Sequence, residues 1–225
     1  MTRPRNRRGE GGRLRAELID AAEALLVESD RPEHVSLRRI AAEVGVTAPA
    51  IYRHFPDKEA LLEAVVARRF DEFRARFTEA YAQEDDCFDG LRRAAAAYLD
   101  FAAHHPAHYQ VLFGPVTNPD VLGLRSEGRP HPGEASMAAL VEQLQKCLDT
   151  GPGGRRLDAA TLAVETWTLL HGNVELRHSR PGFPWPPADE LIGGWIDRLR
   201  HMVQHPPASS VIPADQPVAT ATSSR

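Results

Sequence analysis

Residues 36–62 read SLRRIAAEVGVTAPAIYRHFPDKEALL, and this stretch determines the fold of the N-terminal part of the chain. Its first apolar residues lie three or four positions apart, as on one face of a short helix: Leu37, Ile40, Ala41 and Val44. Ser36 precedes this face and is suited to be its N-cap. Gly45 follows it, where a left-handed C-cap favours a residue without Cβ. The stretch therefore begins with a short predicted helix that ends at this glycine.

A second short helix is predicted directly after the glycine. Val46 is placed to fill the angle between the two helices, and Thr47 is expected to cap the second one. Pro49 lies in its first turn, where a missing N–H costs little. Asp57 is suited to cap a further, long helix that begins near Lys58. A helix, a three-residue turn and a short second helix form a helix-turn-helix, whose second helix fits the major groove of DNA.

This stretch resembles the TetR family of transcriptional regulators. The matching positions share the residue types of the family pattern: Ile40-Ala41, Gly45-Val46, Thr47, Tyr52-Arg53-His54-Phe55 and Lys58. The resemblance is continuous from Leu14 to Leu62, and the Tyr-x-His-Phe run is far more specific than a helix-turn-helix pattern alone. It implies a regulator, most often a repressor, that binds a palindromic operator as a homodimer and is released by a small molecule. It implies no catalytic residue and no cofactor.

Ten residues form the predicted DNA-binding surface: Ser36, Arg38, Thr47, Ala48, Pro49, Ala50, Tyr52, Arg53, His54 and Lys58. Thr47 and the N–H groups at the start of the second helix are expected to face a phosphate. The family resemblance implies phosphate contacts for Tyr52, His54 and Lys58. It also implies that Arg38 touches DNA near the groove.

The second helix is expected to make few sequence-specific contacts with bases. Its exposed face carries mostly small side chains: Ala48, Pro49, Ala50 and Arg53. Of these, Arg53 can pair bidentately with guanine, whereas alanine and proline offer contacts to thymine methyl groups. We expect Ile51 and Phe55 to be core residues, and the ring of Tyr52 to be packed with its hydroxyl outward. Arg38 and the N-terminal arginines are expected to supply further contacts, through the minor groove.

The distribution of charge favours DNA binding although the chain is acidic overall. The net charge is −4, yet residues 1–15 carry six arginines against one glutamate, a net +5, which leaves −9 on the remainder. Residues 1–12 are rich in Arg, Gly and Pro and are predicted to be a disordered basic arm that approaches phosphate. A solvated start without a role is the alternative. Residues 206–225 have few large apolar side chains and are predicted to be a disordered tail.

Composition predicts a cytoplasmic location. No apolar run approaches the about 20 residues that a membrane-spanning helix needs, and the basic N-terminus lacks the apolar stretch of a secretory signal. Cys87 and Cys147 are far apart in sequence and belong to no CxxC motif, which favours a reducing compartment. We interpret both cysteines as core or boundary residues.

The whole chain is predicted to be all-α, with about nine helices and no strand-like alternation. Residues 13–58 are assigned to a helix-turn-helix domain, and residues 59–205 to a helical ligand-binding and dimerisation domain. Besides the two helices described above, the predicted helices are 14–28, 57–82, 86–104, 106–113, 134–149, 156–178 and 188–204. Residues 114–133, rich in Pro and Gly, are predicted to be a loop.

The C-terminal part resembles a ligand-binding domain of the Trp-His-Gly class of TetR-type regulators. The resemblance rests on WTLLHGNVEL, residues 167–176, and on HPAHYQVLFG, residues 105–114. It implies a small-molecule pocket whose ligand tilts the helix over 57–82. The candidate pocket residues are mostly aromatic: Tyr98, Phe101, His105, Tyr109, Phe113, Met137, Trp167 and His171. The alternative is that these aromatic side chains form ordinary core.

Dimerisation is expected through the last two long helices. Two stripes support a four-helix interface between subunits. The stripes are Leu157, Leu162, Val164, Thr168, Leu169 and Gly172 on one helix, and Leu191, Ile192, Trp195, Ile196, Leu199 and Met202 on the other. Part of each stripe is expected to face the core of its own chain.

Two other classes of protein remain as alternatives. His104, His105 and His108 form an HHxxH cluster, which with Asp100 or Glu165 suggests a small helical metallohydrolase. Adjacent histidines on a helix diverge, and no HExxH, GxSxG or P-loop motif is present, so we expect no metal site. A non-specific architectural DNA binder is the second alternative, and the acidic remainder of the chain argues against it.

Overall fold

The computed structural model describes residues 11–28, 35–114, 131 and 133–206. Within these ranges the fold is all-α, as predicted, with a short 3₁₀ turn over Gly154–Arg156. The helices are α1 Gly11–Glu28, α2 Leu37–Val44, α3 Ala48–Ile51, α4 Lys58–Ala82, α5 Cys87–His104, α6 Pro106–Phe113, α7 Glu134–Leu148, α8 Ala159–Ser179 and α9 Ala188–Gln204. Most of the predicted basic arm, most of the predicted 114–133 loop and nearly all of the predicted tail lie outside the described residues.

Two helices begin at different places from those predicted. The first, α1, already includes Gly11, three residues before the first apolar residue of its stripe. Helix α8 begins at Ala159 rather than at residue 156, because the Asp158 carboxylate caps it by accepting from the Thr161 N–H at 2.7 Å. The 3₁₀ turn fills the residues before this cap, where Gly153 is packed against α9. A Cβ at Gly153 would lie 2.0 Å from the Met202 carbonyl oxygen, so glycine is required there.

The structure has two hydrophobic cores, and two helices contribute to both. In α4, Leu61, Leu62 and Val65 are buried in the N-terminal core, whereas Val66 and Phe70 are buried in the C-terminal core. Helix α6 likewise places Val111 in the first core, while Tyr109 and Leu112 belong to the second. Each of these helices therefore links the packing of one half to that of the other.

A buried ionic cluster joins α1, α4 and α6. Glu23 of α1 is 4% exposed and accepts from Arg68 of α4 at 2.6 Å. Arg69 pairs with the same carboxylate, and His108 Nε2 of α6 lies 3.5 Å from it. A buried carboxylate is tolerated when it is paired in this way. The cluster connects the first helix to the two helices that span both cores.

The predicted dimer stripes divide between the interior and the surface. Four residues of those stripes lie in the core of their own chain, as expected for part of each stripe: Leu162, Ile192, Ile196 and Leu199. Others are exposed, among them Val164 at 52%, Leu191 at 40% and Met202 at 43%. The inward positions are the ones that face α5 and α7, since α8 and α9 pack on those helices. The exposed positions remain available to a second chain.

The described residues test the interpretation of the two cysteines and the prediction that no helix spans a membrane. Cys147 is buried and Cys87 is half-buried, in agreement with their interpretation as core and boundary residues. Burial raises the pKa of the Cys147 thiol, which lies beside that of Cys87. Within the described ranges, no helix is both long and apolar enough to cross a bilayer.

Candidate DNA-binding surface and central cavity

Helix α2 has both predicted caps, at Ser36 and at Gly45. The Ser36 hydroxyl accepts from the Arg39 N–H at 3.3 Å, and Gly45 adopts φ +72°, the left-handed conformation. The Gly45 N–H then donates to the Ala42 carbonyl at 3.2 Å. Glycine suits this position because a Cβ is strained at positive φ. These bonds fix the angle at which α3 leaves α2.

Helix α3 is a single turn that continues into hydrogen-bonded turns. Thr47 occupies its N-cap position, but the prediction that its side chain caps the helix is wrong, since the hydroxyl makes no cap bond. The Ala50 N–H donates instead to the Thr47 carbonyl at 2.8 Å. Pro49 lies in the first turn, as predicted. The Thr47 hydroxyl, on an exposed residue, is thereby left for solvent or a phosphate.

The burial pattern of α3 separates packing from exposed residues. Ile51 and Phe55 are buried, which confirms their prediction as core. Tyr52 is 57% exposed, so the prediction that its ring is packed is wrong. The reason is helical geometry, because a residue one position beyond Ile51 turns about 100° away from the face that Ile51 buries. Arg53 is exposed and His54 half-buried at the same end of α3.

The remaining predicted DNA-contacting residues surround this turn. Arg38 is exposed on α2, and Lys58 is the first residue of α4, whose N-cap Asp57 accepts from the Ala60 N–H at 2.7 Å. Arg15 of α1 also lies close to the helix-turn-helix, because its guanidinium is 5.0 Å from the centroid of the Phe55 ring. The sequence placed Arg15 only in a basic N-terminal stretch. The contacts of these residues with DNA remain predictions.

A central cavity of about 450 Å³ lies in the C-terminal half, between α4, α6, α7 and α8. Its walls are predominantly aromatic and aliphatic. Five of the eight predicted pocket residues line it: Tyr98, Phe113, Met137, Trp167 and His171. Tyr109 stands behind the wall and contacts it through its hydroxyl, which lies 2.6 Å from His171 Nδ1.

The prediction that Phe101 and His105 line this cavity is wrong. Both line a separate open groove on the other side of α4, together with Arg76 and His104. Phe101 lies nearly one turn beyond Tyr98 on α5, and its ring is contacted by the Arg76 guanidinium at 5.8 Å. Sequence reasoning missed other lining residues on four helices: Phe70, Phe73, Arg74 and Phe77 on α4, Leu112 on α6, Glu134, Ser136 and Leu140 on α7, and Leu170 on α8. The spacing of the three phenylalanines was visible but indicated only a buried stripe.

Hydrogen bonds tie one wall of the cavity together. The Tyr98 and Tyr109 hydroxyls lie 3.2 Å apart, and the Tyr98 hydroxyl lies 3.5 Å from His171 Nδ1. Burial raises the pKa of Tyr109 to about 12 and raises that of Tyr98 further. Burial also lowers the pKa of His171 below its ordinary value. At neutral pH both phenols are therefore protonated and the imidazole is neutral.

The histidines near the end of α5 do not form a metal site in the part of the chain described by the structure. No group of three or more His, Cys, Asp or Glu side chains is arranged there to hold a metal ion. The His104 ring bonds the Asp100 carbonyl at 2.9 Å, and His108 faces Glu23. These contacts give the His104 and His108 rings structural roles.

Comparison with known families identifies both halves of the molecule. Residues 18–65 match the family model described as bacterial regulatory proteins, tetR family. Residues 91–199 match the model described as tetracyclin repressor-like, C-terminal domain. The chain therefore belongs to the TetR family. It is a DNA-binding transcriptional regulator and, on the same ground, not an enzyme.

Similar proteins include curated relatives and solved structures. The chain is 26% identical over 182 residues to the nucleoid occlusion factor SlmA of Serratia proteamaculans, covering 80% of this chain and 90% of that protein. It is 29% identical to SlmA of Yersinia pseudotuberculosis, with the same two coverages. A Rhodococcus protein of unknown function superimposes with a TM-score of 0.64 at 26% identity, covering 87% of this chain and 98% of that one. A TetR family regulator from Marinobacter aquaeolei shares the fold, with a TM-score of 0.59 at 16% identity and coverages of 87% and 98%.

Proposed function

We propose that this regulator is a repressor that binds a palindromic operator as a homodimer and leaves it when a small molecule occupies the central cavity. One observation carries the proposal. Helix α4 begins with Lys58 at the candidate DNA-binding surface and, further along, lines the cavity with Phe70, Phe73 and Phe77. A change at the cavity wall therefore acts on the element that supports α3.

Several predicted contacts make up the DNA-binding surface in this proposal. Arg53 reads a guanine, and Arg38 lies near the groove. The hydroxyls of Thr47 and Tyr52, the His54 ring and the Lys58 ammonium bind phosphates. Their exposed or half-buried positions around α2, α3 and the start of α4 support this assignment. Residues 13–58 would then belong to the DNA-binding domain, and the predicted basic arm over residues 1–12 is shortened because Gly11 and Gly12 already belong to α1.

A single helix-turn-helix of this size buries little surface on DNA, which favours binding as a dimer. Two half-sites would be about 34–36 Å apart, one turn of the double helix. The exposed apolar side chains of α8 and α9, among them Val164, Leu176 and Leu191, support a contact between two chains on this face. Gly172 has open space where a Cβ would stand, which permits close approach of a partner helix.

Release would follow from movement of α4 relative to the N-terminal core. Because α6 packs Tyr109 against His171 and places its neighbour His108 beside Glu23, it connects the cavity wall to α1. A ligand needs only a differential affinity of about 1–3 kcal/mol for the released state to change DNA affinity roughly 5- to 150-fold.

Selection of bound sequences from random duplex DNA, followed by a salt titration, tests this proposal. An enriched inverted repeat with half-sites about one helical turn apart is the expected result. Binding of the selected site should weaken steeply with salt, because phosphate contacts release counterions. Failure of the folded, ligand-free protein to enrich any sequence would contradict the proposal.

A second candidate function comes from the curated relatives, which are named nucleoid occlusion factors. If this chain had a function of that kind, we would expect its binding sites to be spread over the nucleoid DNA. Mapping of bound DNA across the genome of the source organism distinguishes the two candidates. One or a few operators beside promoters favour the repressor, whereas many dispersed sites favour nucleoid occlusion.

A further inference from the structure

The unused hydrogen-bonding groups on the cavity wall indicate what chemistry a ligand must have. His171 provides the first of them. Within the described residues, the polar contacts of this ring are made by Nδ1, which lies 2.6 Å from the Tyr109 hydroxyl and 3.5 Å from that of Tyr98. Among the described residues, Nε2 has no hydrogen-bond partner. Whether Nε2 is a donor or an acceptor therefore decides what it can bind.

The hydrogen-bonded chain behind His171 settles this question. The Tyr98 and Tyr109 hydroxyls each carry one proton, lie 3.2 Å apart, and both lie within 3.5 Å of Nδ1. The Tyr98 hydroxyl then donates to that of Tyr109, and Tyr109 donates to His171 Nδ1. If Nδ1 carried the proton and donated to Tyr109, the Tyr109 proton would go to Tyr98, and the Tyr98 proton would lack an acceptor within this cluster. Nδ1 is thus an acceptor, and the neutral ring carries its proton on Nε2.

Two further donors on the same cavity lack partners among the described residues. The Nε atom of Arg74 is buried and makes no hydrogen bond, and the guanidinium has one carboxylate partner, Asp71, at 3.3 Å. The Ser136 hydroxyl on α7 is also buried and has no partner. A buried donor without an acceptor is unfavourable, so these groups favour a ligand that supplies acceptors.

Two acceptors on the cavity wall already have donors. Glu134 Oε1 accepts from the His131 N–H at 3.0 Å, and His131 Nδ1 accepts from the Gly133 N–H at 3.0 Å. His171 Nε2, Arg74 Nε and the Ser136 hydroxyl can each donate to a ligand, and Arg74 is a cation. Between them lie the rings of Phe73, Phe113 and other aromatic residues. Such a wall fits a flat apolar body that ends in an anionic acceptor.

We propose that the effector is a small carboxylic acid with an aromatic or other apolar body, whose carboxylate binds Arg74 and whose oxygen atoms accept from His171 and Ser136. This inference rests on the proposed function, since it names the ligand class of the same cavity. The volume of about 450 Å³ lies within the usual range for small-molecule sites. Because Arg74 belongs to α4, binding of the acid would act directly on the helix that reaches the DNA-binding surface.

The test compares three probes with one body and different head groups: naphthylacetate, naphthylacetamide and ethylnaphthalene. Binding is measured by isothermal titration calorimetry with the full chain. We expect the acid to bind at least about tenfold more tightly than the amide, because a hydrogen bond to a charged group is stronger than a neutral one. The amide should in turn bind more tightly than the hydrocarbon, which has no acceptor.

Variants assign this preference to individual residues. Arg74→Met should weaken binding of the acid about tenfold and leave that of the amide nearly unchanged. His171→Phe keeps an aromatic ring but removes the Nε2 donor, so it should weaken the acid and the amide alike and spare the hydrocarbon. Arg93→Met is the matched control. Arg93 does not line the cavity, and its guanidinium lies 2.6 Å from the Glu84 carboxylate. Far-ultraviolet circular dichroism confirms that each variant is folded.

Three results would overturn the inference: binding of the hydrocarbon or amide as tight as that of the acid, no binding of any probe, or undiminished binding of the acid by the Arg74 variant. A parallel measurement of binding to the selected operator separates this inference from the proposed function. If the acid binds through Arg74 but DNA affinity does not change, the ligand class stands and ligand-driven release fails. If a neutral probe binds and releases DNA, the ligand class fails and release stands.

Discussion

The two ends of α4 are packed in different ways. At its N-terminal end, Leu61, Leu62 and Val65 are almost completely buried in the N-terminal core. Further along, Phe70 and Phe73 are packed on one side by other aromatic rings and border about 450 Å³ of empty space on the other. One helix thus has a closely packed half and a half whose packing a ligand can complete. Because a closely packed core deforms little, we expect its half of α4 to move as a unit and to transmit a displacement that begins at the cavity.

The largest difference between the two halves is expected in stability. Leu61→Ala removes a fully buried side chain and should lower the free energy of unfolding by about 2–5 kcal/mol. Met137→Ala truncates a half-buried side chain on the cavity wall and should cost markedly less. Urea denaturation followed by circular dichroism measures both. Equal costs would show that the cavity half is packed as closely as the N-terminal core.

The ionic cluster tests the connection between the halves. Glu23→Gln removes the buried carboxylate that Arg68 and Arg69 share, while their pairs with the more exposed Asp20 and Glu72 remain. We expect a loss of about 1–3 kcal/mol because both guanidiniums are partly exposed. It should also reduce the effect of a bound ligand on DNA affinity. The control is Glu84→Gln, which breaks a surface pair with Arg93. If the two variants had the same stability and ligand response, the cluster would not couple α1 to α4.

At the DNA-binding surface, two substitutions should have different effects. Lys58→Ala should weaken binding to all duplexes and lower the dependence of binding on salt by about one phosphate contact. Arg53→Ala should cost about 1–3 kcal/mol at the preferred site and relax the choice of one base. Competition binding at several salt concentrations separates these effects. Unchanged site preference in the Arg53 variant would exclude its assignment as a base contact.

The smallest expected effect is a pH dependence that belongs to the cavity half. Burial lowers the pKa of His171 in the folded protein below its ordinary value of 6.5. The unfolded chain therefore binds more protons in the window below pH 6.5, so stability is full above this pH and falls as the pH decreases. His171→Phe should reduce this slope. His54→Phe provides the comparison, and an equal reduction by both variants would contradict the role of burial at His171.

The N-terminal region could be predicted from the sequence in more detail than the cavity. The caps at Ser36, Gly45 and Asp57 depend on neighbouring residues, so a linear pattern contains them. The orientation of the Tyr52 ring depends on where α3 ends, and this the pattern does not specify. The cavity brings together residues from separated helices, such as Arg74 and His171, and periodicity alone does not distinguish a wall from a core. The buried ion pairs of Glu23 could not be predicted from the sequence either, because its partners lie more than forty residues away along the chain.

Filling the cavity by substitution tests the central claim most directly, since it requires no knowledge of the ligand. Ser136→Phe introduces a ring at the cavity wall, and Ala138→Phe, at an exposed position of the same helix, is the control. The quantity to measure is the affinity of each folded variant for the selected operator. The account predicts a loss of operator affinity with Ser136→Phe and none with Ala138→Phe. Undiminished affinity with the cavity filled would contradict coupling between the cavity and DNA through α4.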